Sequence, residues 1–175
     1  MLKSLITICE PDERFQYLSV HDQAAGLTRP LCAGDLYNEV VPIELGSTVP
    51  AEIRSQFDVA RNADLYSWFV YDLAMLAEQH CYIVLEMALR YRANSEGLSR
   101  ARTLKPYLQL AIMRGWLHED DLHIPGGSGS RPMSFLKELP RLRDRLLHGN
   151  VHLSPDFTLM IMRKCAELIS KLYAK

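Results

Sequence analysis

Apolar residues along this chain recur mostly at spacings of three and four, the period of helices that bury one face. The clearest run opens at Ser47-Thr48-Val49-Pro50, where a hydroxyl-bearing cap, a proline and Glu52 suit a first helical turn. From Ala51 to Asn94 no proline or glycine follows, and Ile53, Phe57, Ala60, then Leu73, Leu76, Ala77, Ile83, Val84, Met87 and Tyr91 keep the spacing. One helix over that span would be unusually long, so a break near Arg61-Asn62 and two helices are expected. Further helices are expected from Ser99 to Gly115, around Leu104, Tyr107, Leu108 and Ala111, and from Met133 or Ser134 to His148. The last is expected from Ser154, with Pro155 at its first position, to Tyr173.

The first 50 residues carry four of the nine prolines and read as the most irregular part of the chain. A helix over Glu10 to Gly26, entered at Pro11 with Asp12 and Glu13 in its first turn, is expected there. Leu27 to Thr48 reads as an extended or looping cover, with Asn38 to Leu45 the one stretch that resembles a strand. The run from His118 to Pro132, with PGGSGS inside it, has the composition of a flexible connection. The expected fold is therefore all-α: an antiparallel bundle of about five or six helices over residues 49–175, with an irregular N-terminal extension, residues 1–48, packing on it.

Composition narrows the class without naming a function. With 48% hydrophobic and 23% charged residues the chain can bury a full core. Its apolar runs are broken by charge well short of the ~20 residues a membrane span needs, and no export signal is read in the opening MLKSLITICE. The four cysteines stand far apart, as reduced buried thiols of a cytoplasmic protein would. A net charge of -1 hides an uneven division. Residues 1–89 hold 5 Lys and Arg against 13 Asp and Glu, whereas residues 90–148 hold 11 against 6. Such asymmetry suits either a basic face that steers a phosphate backbone or two faces that attract each other in a dimer.

The densest polar chemistry lies in Leu139 to Asn150, LPRLRDRLLHGN, which joins three arginines, an acid and a histidine just before a glycine. Leu136, Leu139, Leu142 and Leu146 supply a buried stripe, so the polar side chains face elsewhere. Asp144 and His148 are four apart, which on a helix lets the carboxylate orient the imidazole and favour its charged form. The helix C-terminus acts in the same direction, leaving His148 suited to proton transfer near neutral pH. Arg143 lies about 140° from His148 around an ideal helix. The two converge on one phosphate only if the backbone leaves the helix near His148 or if two copies meet across a two-fold axis.

The hexapeptide Arg143-Asp144-Arg145-Leu146-Leu147-His148 resembles the R-x4-6-H motif of HEPN domains. Its flanks, LRDRLLHG before a final helix, resemble the motif's usual placement, and AEQHCYIVLEMALRYR resembles the long helix that packs against it. The likeness covers roughly Val49 to Tyr173; residues 1–48 have no counterpart in it. It implies a homodimeric helical bundle that brings two motifs into one cleft, and in many members a metal-independent endoribonuclease. In that role His148 and Arg143 would be catalytic, with Asp144 as the motif's polar residue. Arg141 and Arg145 join them by proximity as RNA-binding candidates. A toxin or phage-defence setting, with an antitoxin protein as partner, follows from the same likeness. Some HEPN toxins carry a modifiable tyrosine two residues after the histidine; Asn150 stands there in this chain.

Blander assignments compete with each of these. His148 can simply cap a helix end, and Arg143 can form a salt bridge with Glu78 or Glu86 of the long helix. The family also holds members that are not nucleases, so a non-catalytic dimerisation module binding a protein or small ligand is the alternative function. No cofactor and no metal are expected. His148 and His152 straddle Gly149, and the upstream His118, Glu119, Asp120, Asp121 and His123 offer no thiol. Gly126 to Ser130 lacks the lysine of a phosphate-binding loop. Tyr66, Trp68, Phe69 and Tyr71 are expected to pack in a core or dimer contact rather than to stack on bases.

Overall fold

The structure is a computed structural model that describes residues 2–22, 26–98, 103–124, 133–139 and 155–174. It is mostly helical, as the apolar spacing predicts. In chain order a 3-10 turn (Glu13–Tyr17) leads into β1 (Ser19–Asp22), β2 (Leu27–Pro30) and α1 (Ala33–Val40). Next come α2 (Ala51–Tyr66), α3 (Leu73–Ser95), α4 (Leu104–Met113), a second 3-10 turn (Glu119–Leu122), β3 (His123–Ile124) and β4 (Met133–Ser134). Helical residues 135–139, here α5, and α6 (Pro155–Leu172) complete the described elements. None of these helices is long and apolar enough to cross a membrane.

The core is built on α3. Its buried side chains include Ala74, Ala77, Cys81, Val84, Leu85, Ala88 and Leu89, which recur every three or four positions. α2 lies against it through Ile53, Phe57 and Ala60, and the exposed side chains of Gln56 and His80 join the two helices at 3.1 Å. α6 presents Ile161, Met162, Cys165, Leu168 and Ile169 to the same cluster, and near its end the Tyr173 hydroxyl donates to the Ala88 carbonyl at 3.0 Å. From α5, Phe135 packs on Tyr82 of α3, ring centroids 6.0 Å apart. α3 ends where Gly97, at φ +67°, lets the Leu98 amide return to the Ala93 carbonyl.

Two helices do replace the long run after Pro50, but the break falls at residues 67–72, not at Arg61-Asn62. Arg61 stays helical because its guanidinium bonds Asp58 one turn back and the Val41 carbonyl outside the helix. The last helix begins at Pro155 as expected. Of the helix expected from Met133 or Ser134 to His148, Met133–Ser134 form β4 instead and residues 135–139 are helical; its remainder to His148, and the expected helix start at Ser99, lie outside the described residues.

The N-terminal expectations need correction. Glu10 to Gly26 is not a helix: Asp12 does cap a turn, accepting the Arg14 amide, but the turn ends at Tyr17. The chain then extends into a hairpin in which Val20 opposes Arg29 and His21 opposes Thr28. The β-branched Val20 and Thr28, one in each strand, favour extended backbone over continued helix. Leu27 to Thr48 is likewise no mere cover, since it contains β2 and the helix α1, and Asn38 to Leu45 is the end of α1 and its exit rather than a strand.

What fastens this extension to the bundle is a clip at the α2–α3 turn. The Asp12 amide donates to the Trp68 carbonyl, and the Asp12 carboxylate accepts from the Tyr71 amide at 3.0 Å. Arg14 bridges Asp12 and Asp72 and lies 4.5 Å over the Tyr71 ring. The guanidinium holds the Asp12 carboxyl well below the usual carboxylate range. Phe15 fills the space between Trp68 and Tyr71, each centroid 5.1 Å away, which places these aromatics in packing contacts. Phe15→Ala is therefore expected to cost about 3–5 kcal/mol of stability in chemical denaturation, and limited proteolysis should then cut first within residues 1–48.

Candidate functional site

The motif residues themselves, Arg141, Arg143, Asp144, Arg145 and His148, lie outside the described residues. The described chain does fix both flanks of residues 140–154. On one side Phe135 and Leu139 are fully buried; on the other, Pro155 opens α6 with Thr158, Leu159 and Ile161 in the core. Both flanks rest on α3, Phe135 against Tyr82 and Cys165 within electrostatic range of Glu78 and Tyr82.

At that meeting point the core is polar. Among the described residues the buried polar side chains are Asp64, Ser67, Glu78 and Thr158, and each carries an oxygen without a hydrogen-bond partner: Asp64 Oδ2, Ser67 Oγ, Glu78 Oε2 and Thr158 Oγ1. Asp64 continues the stripe Ile53, Phe57, Ala60 to the next inward position of α2, so its burial is dictated by register. Glu78 sits between Ala74 and Cys81 on α3, and its Oε1 accepts from the Tyr82 hydroxyl at 2.7 Å. The Cys81 thiol interacts electrostatically with Cys165, Asp64 and Glu78, which places both acids beside the seam of α2, α3 and α6.

Burial removes water from both carboxyls and disfavours their charged forms. It pushes Asp64 up to about 7. Glu78 is also pushed up to about 7, desolvation outweighing the opposing Tyr82 hydrogen bond. The same burial raises the thiols of Cys81 and Cys165, which leaves them protonated and poorly nucleophilic. Acids poised near neutrality are the kind that move protons in active sites. Neither acid, however, lines either of the two surface clefts described below.

Those clefts adjoin, sharing Asn38, Glu39 and Arg163. One, of about 620 Å³, runs between Leu18, Val20 and Leu31 of the extension and Pro155, Asp156 and Leu159 of α6. The other, of about 560 Å³, lies between Pro42, Ile43 and Glu44 and Ala166, Glu167 and Ser170. An ion pair from Arg163 to Glu39 crosses their junction. Among the described residues their charged lining is Asp35, Glu39, Glu44, Asp156, Glu167 and Arg163, with Asp35 paired to Arg29 and Glu167 to Lys164 and Lys171 just outside, which leaves the walls weakly acidic.

The alternative salt bridge from Arg143 to Glu78 or Glu86 falls on a residue outside the described ones; among these Glu78 pairs with Tyr82, and Glu86 is half-buried with no ion pair. Asp64 was missed, although an acid at the next position of an apolar stripe is visible in the sequence. Cys81 and Cys165 are buried thiols as expected, but Cys9 and Cys32 are exposed. Among the described residues no three acidic, histidine or cysteine side chains gather as a metal site. Asp121 serves instead to bond the His118 amide and Lys171. No family model, curated protein or solved structure matches the chain.

The raised acids carry a sign. Each is protonated in the fold up to about pH 7, whereas an unfolded carboxyl ionises near pH 4. The unfolded state therefore releases protons first, and stability falls as pH rises from about 4 to about 7, then levels off. Thermal melts should show a lower Tm at pH 8 than at pH 5. Asp64→Asn and Glu78→Gln, which stay neutral, should each flatten that slope and raise the pH 8 Tm.

Proposed function

We propose that this chain is a HEPN-type protein that acts on RNA as a metal-independent endoribonuclease and works as a homodimer. The observation that carries the reading is the sequence Arg143-Asp144-Arg145-Leu146-Leu147-His148, set between helical residues 135–139 and α6. Support comes from the helical architecture around it, in which the flanks of the segment rest on one long helix, α3. The charge division adds to it: Arg141, Arg143 and Arg145 belong to the basic stretch, while the acidic walls of the described clefts disfavour phosphate.

In the proposed reaction the His148 imidazole takes the proton of a ribose 2′-hydroxyl, whose oxygen attacks the neighbouring phosphorus as the bond to the 5′-oxygen breaks; that oxygen takes a proton from solvent water, and the imidazolium returns its own to solvent. Arg143 stabilises the charge that builds on the phosphate oxygens, and Asp144 orients the imidazole. Arg141 and Arg145 hold the backbone of the strand. The products are a 2′,3′-cyclic phosphate and a 5′-hydroxyl. A toxin or phage-defence role, with an antitoxin as protein partner, belongs to this reading, as does a cytoplasmic location.

The test is cleavage of single-stranded RNA by purified protein with mapped product ends. Removing a positioned proton-transfer group costs roughly 10²- to 10⁴-fold, so His148→Ala should lose at least that much activity, Arg143→Ala should also lose activity, and a chelator should change nothing. Cleavage retained by His148→Ala, or abolished by the chelator, overturns the mechanism. If the wild type leaves RNA intact while Arg143→Ala abolishes dimerisation, the chain is a non-catalytic dimerisation module instead.

A further inference from the structure

One pair of side chains on α3 adjoins both flanks of the span 140–154. Tyr82 and Glu78 are 3% and 1% exposed, one turn apart, and the Tyr82 hydroxyl donates to Glu78 Oε1 at 2.7 Å. The Tyr82 ring meets the buried Phe135 ring with centroids 6.0 Å apart. Leu139, one turn beyond Phe135, is buried too, so α5 is pinned along one side as far as its last described residue. On the other flank, Cys165 of α6 is fully buried and interacts electrostatically with both Glu78 and Tyr82.

A carboxyl is a costly choice for this position, since a leucine would bury there without losing hydration. Its second oxygen, Oε2, has no hydrogen-bond partner, so packing gains little from it. What the carboxyl supplies is one directed bond. A ring held by packing alone can slide by fractions of an ångström; a ring also bonded at its tip cannot.

We propose that Glu78 and Tyr82 are positioning residues for RNA cleavage, the carboxyl fixing the tyrosine ring and the ring fixing α5 against α3 and α6. The inference rests on the RNA reading above and adds to it two buried residues that reach no substrate. Few groups face Glu78. Tyr82 and Cys81 share its helix, Cys165 comes from α6, and Asp64 of α2 shares its neighbour Cys81. Lys164, next to Cys165, turns instead to the Asp121 carbonyl and Glu167. With no cation paired to it, the carboxyl stays neutral up to about pH 7, where burial has moved its ionisation. Once charged it draws water to the contact, and the ring loses its fixed place.

Steady-state cleavage of single-stranded RNA separates this role from a structural one. Replacing both partners by apolar groups of similar shape, Glu78→Leu with Tyr82→Phe, leaves neither unsatisfied and should hold the Tm at or above that of wild type. A reacting group displaced by about 1 Å costs about 10²-fold, so kcat of this double variant should fall about 10- to 100-fold with KM nearly unchanged. Glu78→Gln keeps an acceptor for the hydroxyl and should retain wild-type kcat at about pH 6. It should also remove the fall in kcat that wild type shows above about pH 7. Asp64→Asn, which carries neither anchor, should leave that fall in place. Should the double variant fold poorly, the profile of Glu78→Gln decides. Wild-type kcat in the double variant, or a pH profile that Glu78→Gln leaves unchanged or Asp64→Asn flattens equally, overturns the positioning role and leaves the RNA reading standing. A wild type that leaves RNA intact overturns both.

Discussion

The 23 residues of α3 are apolar almost all the way round, and the rest of the architecture follows from the need to cover them. A helix with one apolar stripe can lie on a surface; one with a wide apolar circumference must be central. α2 covers one side, α6 and Phe135 another, and α4 the C-terminal end, where Arg92 of α3 pairs with Glu96 and lies 5.6 Å over the Trp116 ring. Ala74, Ala77, Ala88 and Ala93 let neighbours approach the α3 backbone closely between its larger side chains. The outer stripe of Leu76, Ile83 and Tyr91 is what this covering leaves over.

Centrality also explains why the buried acids matter. Asp64 and Glu78 come from different helices but lie beside the same thiol, Cys81, where α2, α3 and α6 converge. An ionised carboxylate at such a place would need a cation or several donors, and the described residues give Glu78 only the Tyr82 hydroxyl. Protonation is the cheaper solution, and it makes packing at the seam dependent on pH. The seam also lies between the anchors on either side of the motif segment. A change in the charge of Glu78 is therefore felt first where α5 and α6 meet α3.

How much of this is legible in the sequence depends on what sets each feature. α2, α3, α4 and α6 are visible because local periodicity and tertiary burial agree: Ile53, Phe57 and Ala60, or Met162, Cys165 and Ile169, are both spaced for a helix and buried by one. The N-terminal extension is not, because its structure is settled by partners distant in sequence. Nothing local to Asp12 announces that it will accept the Tyr71 amide, 59 residues away, or that Arg14 will reach Asp72. Local signals there favour a helix at Pro11-Asp12-Glu13, and hairpin pairing of Val20 with Arg29 overrides them beyond Tyr17. The motif around Arg143 and His148 is legible by its residue order alone. The polar seam is legible only after the register of α2 is known, since Asp64 looks like any other acid until Ala60 and Phe57 are placed inward.

These strands meet in the electrostatics of the whole chain. The acidic surplus of residues 1–89 is not spread evenly: Asp35, Glu39 and Glu44 line the clefts along α6, while Asp12 and Asp72 are consumed by Arg14. Of these cleft acids, Asp35 is neutralised by Arg29 at 2.6 Å and Glu39 by Arg163. Surface pairs of this sort add little stability, but they determine where field lines remain. On the side where the extension meets α6, only Glu44 and Asp156 of the cleft acids have no ion pair among the described residues, so the field left there is modest and negative.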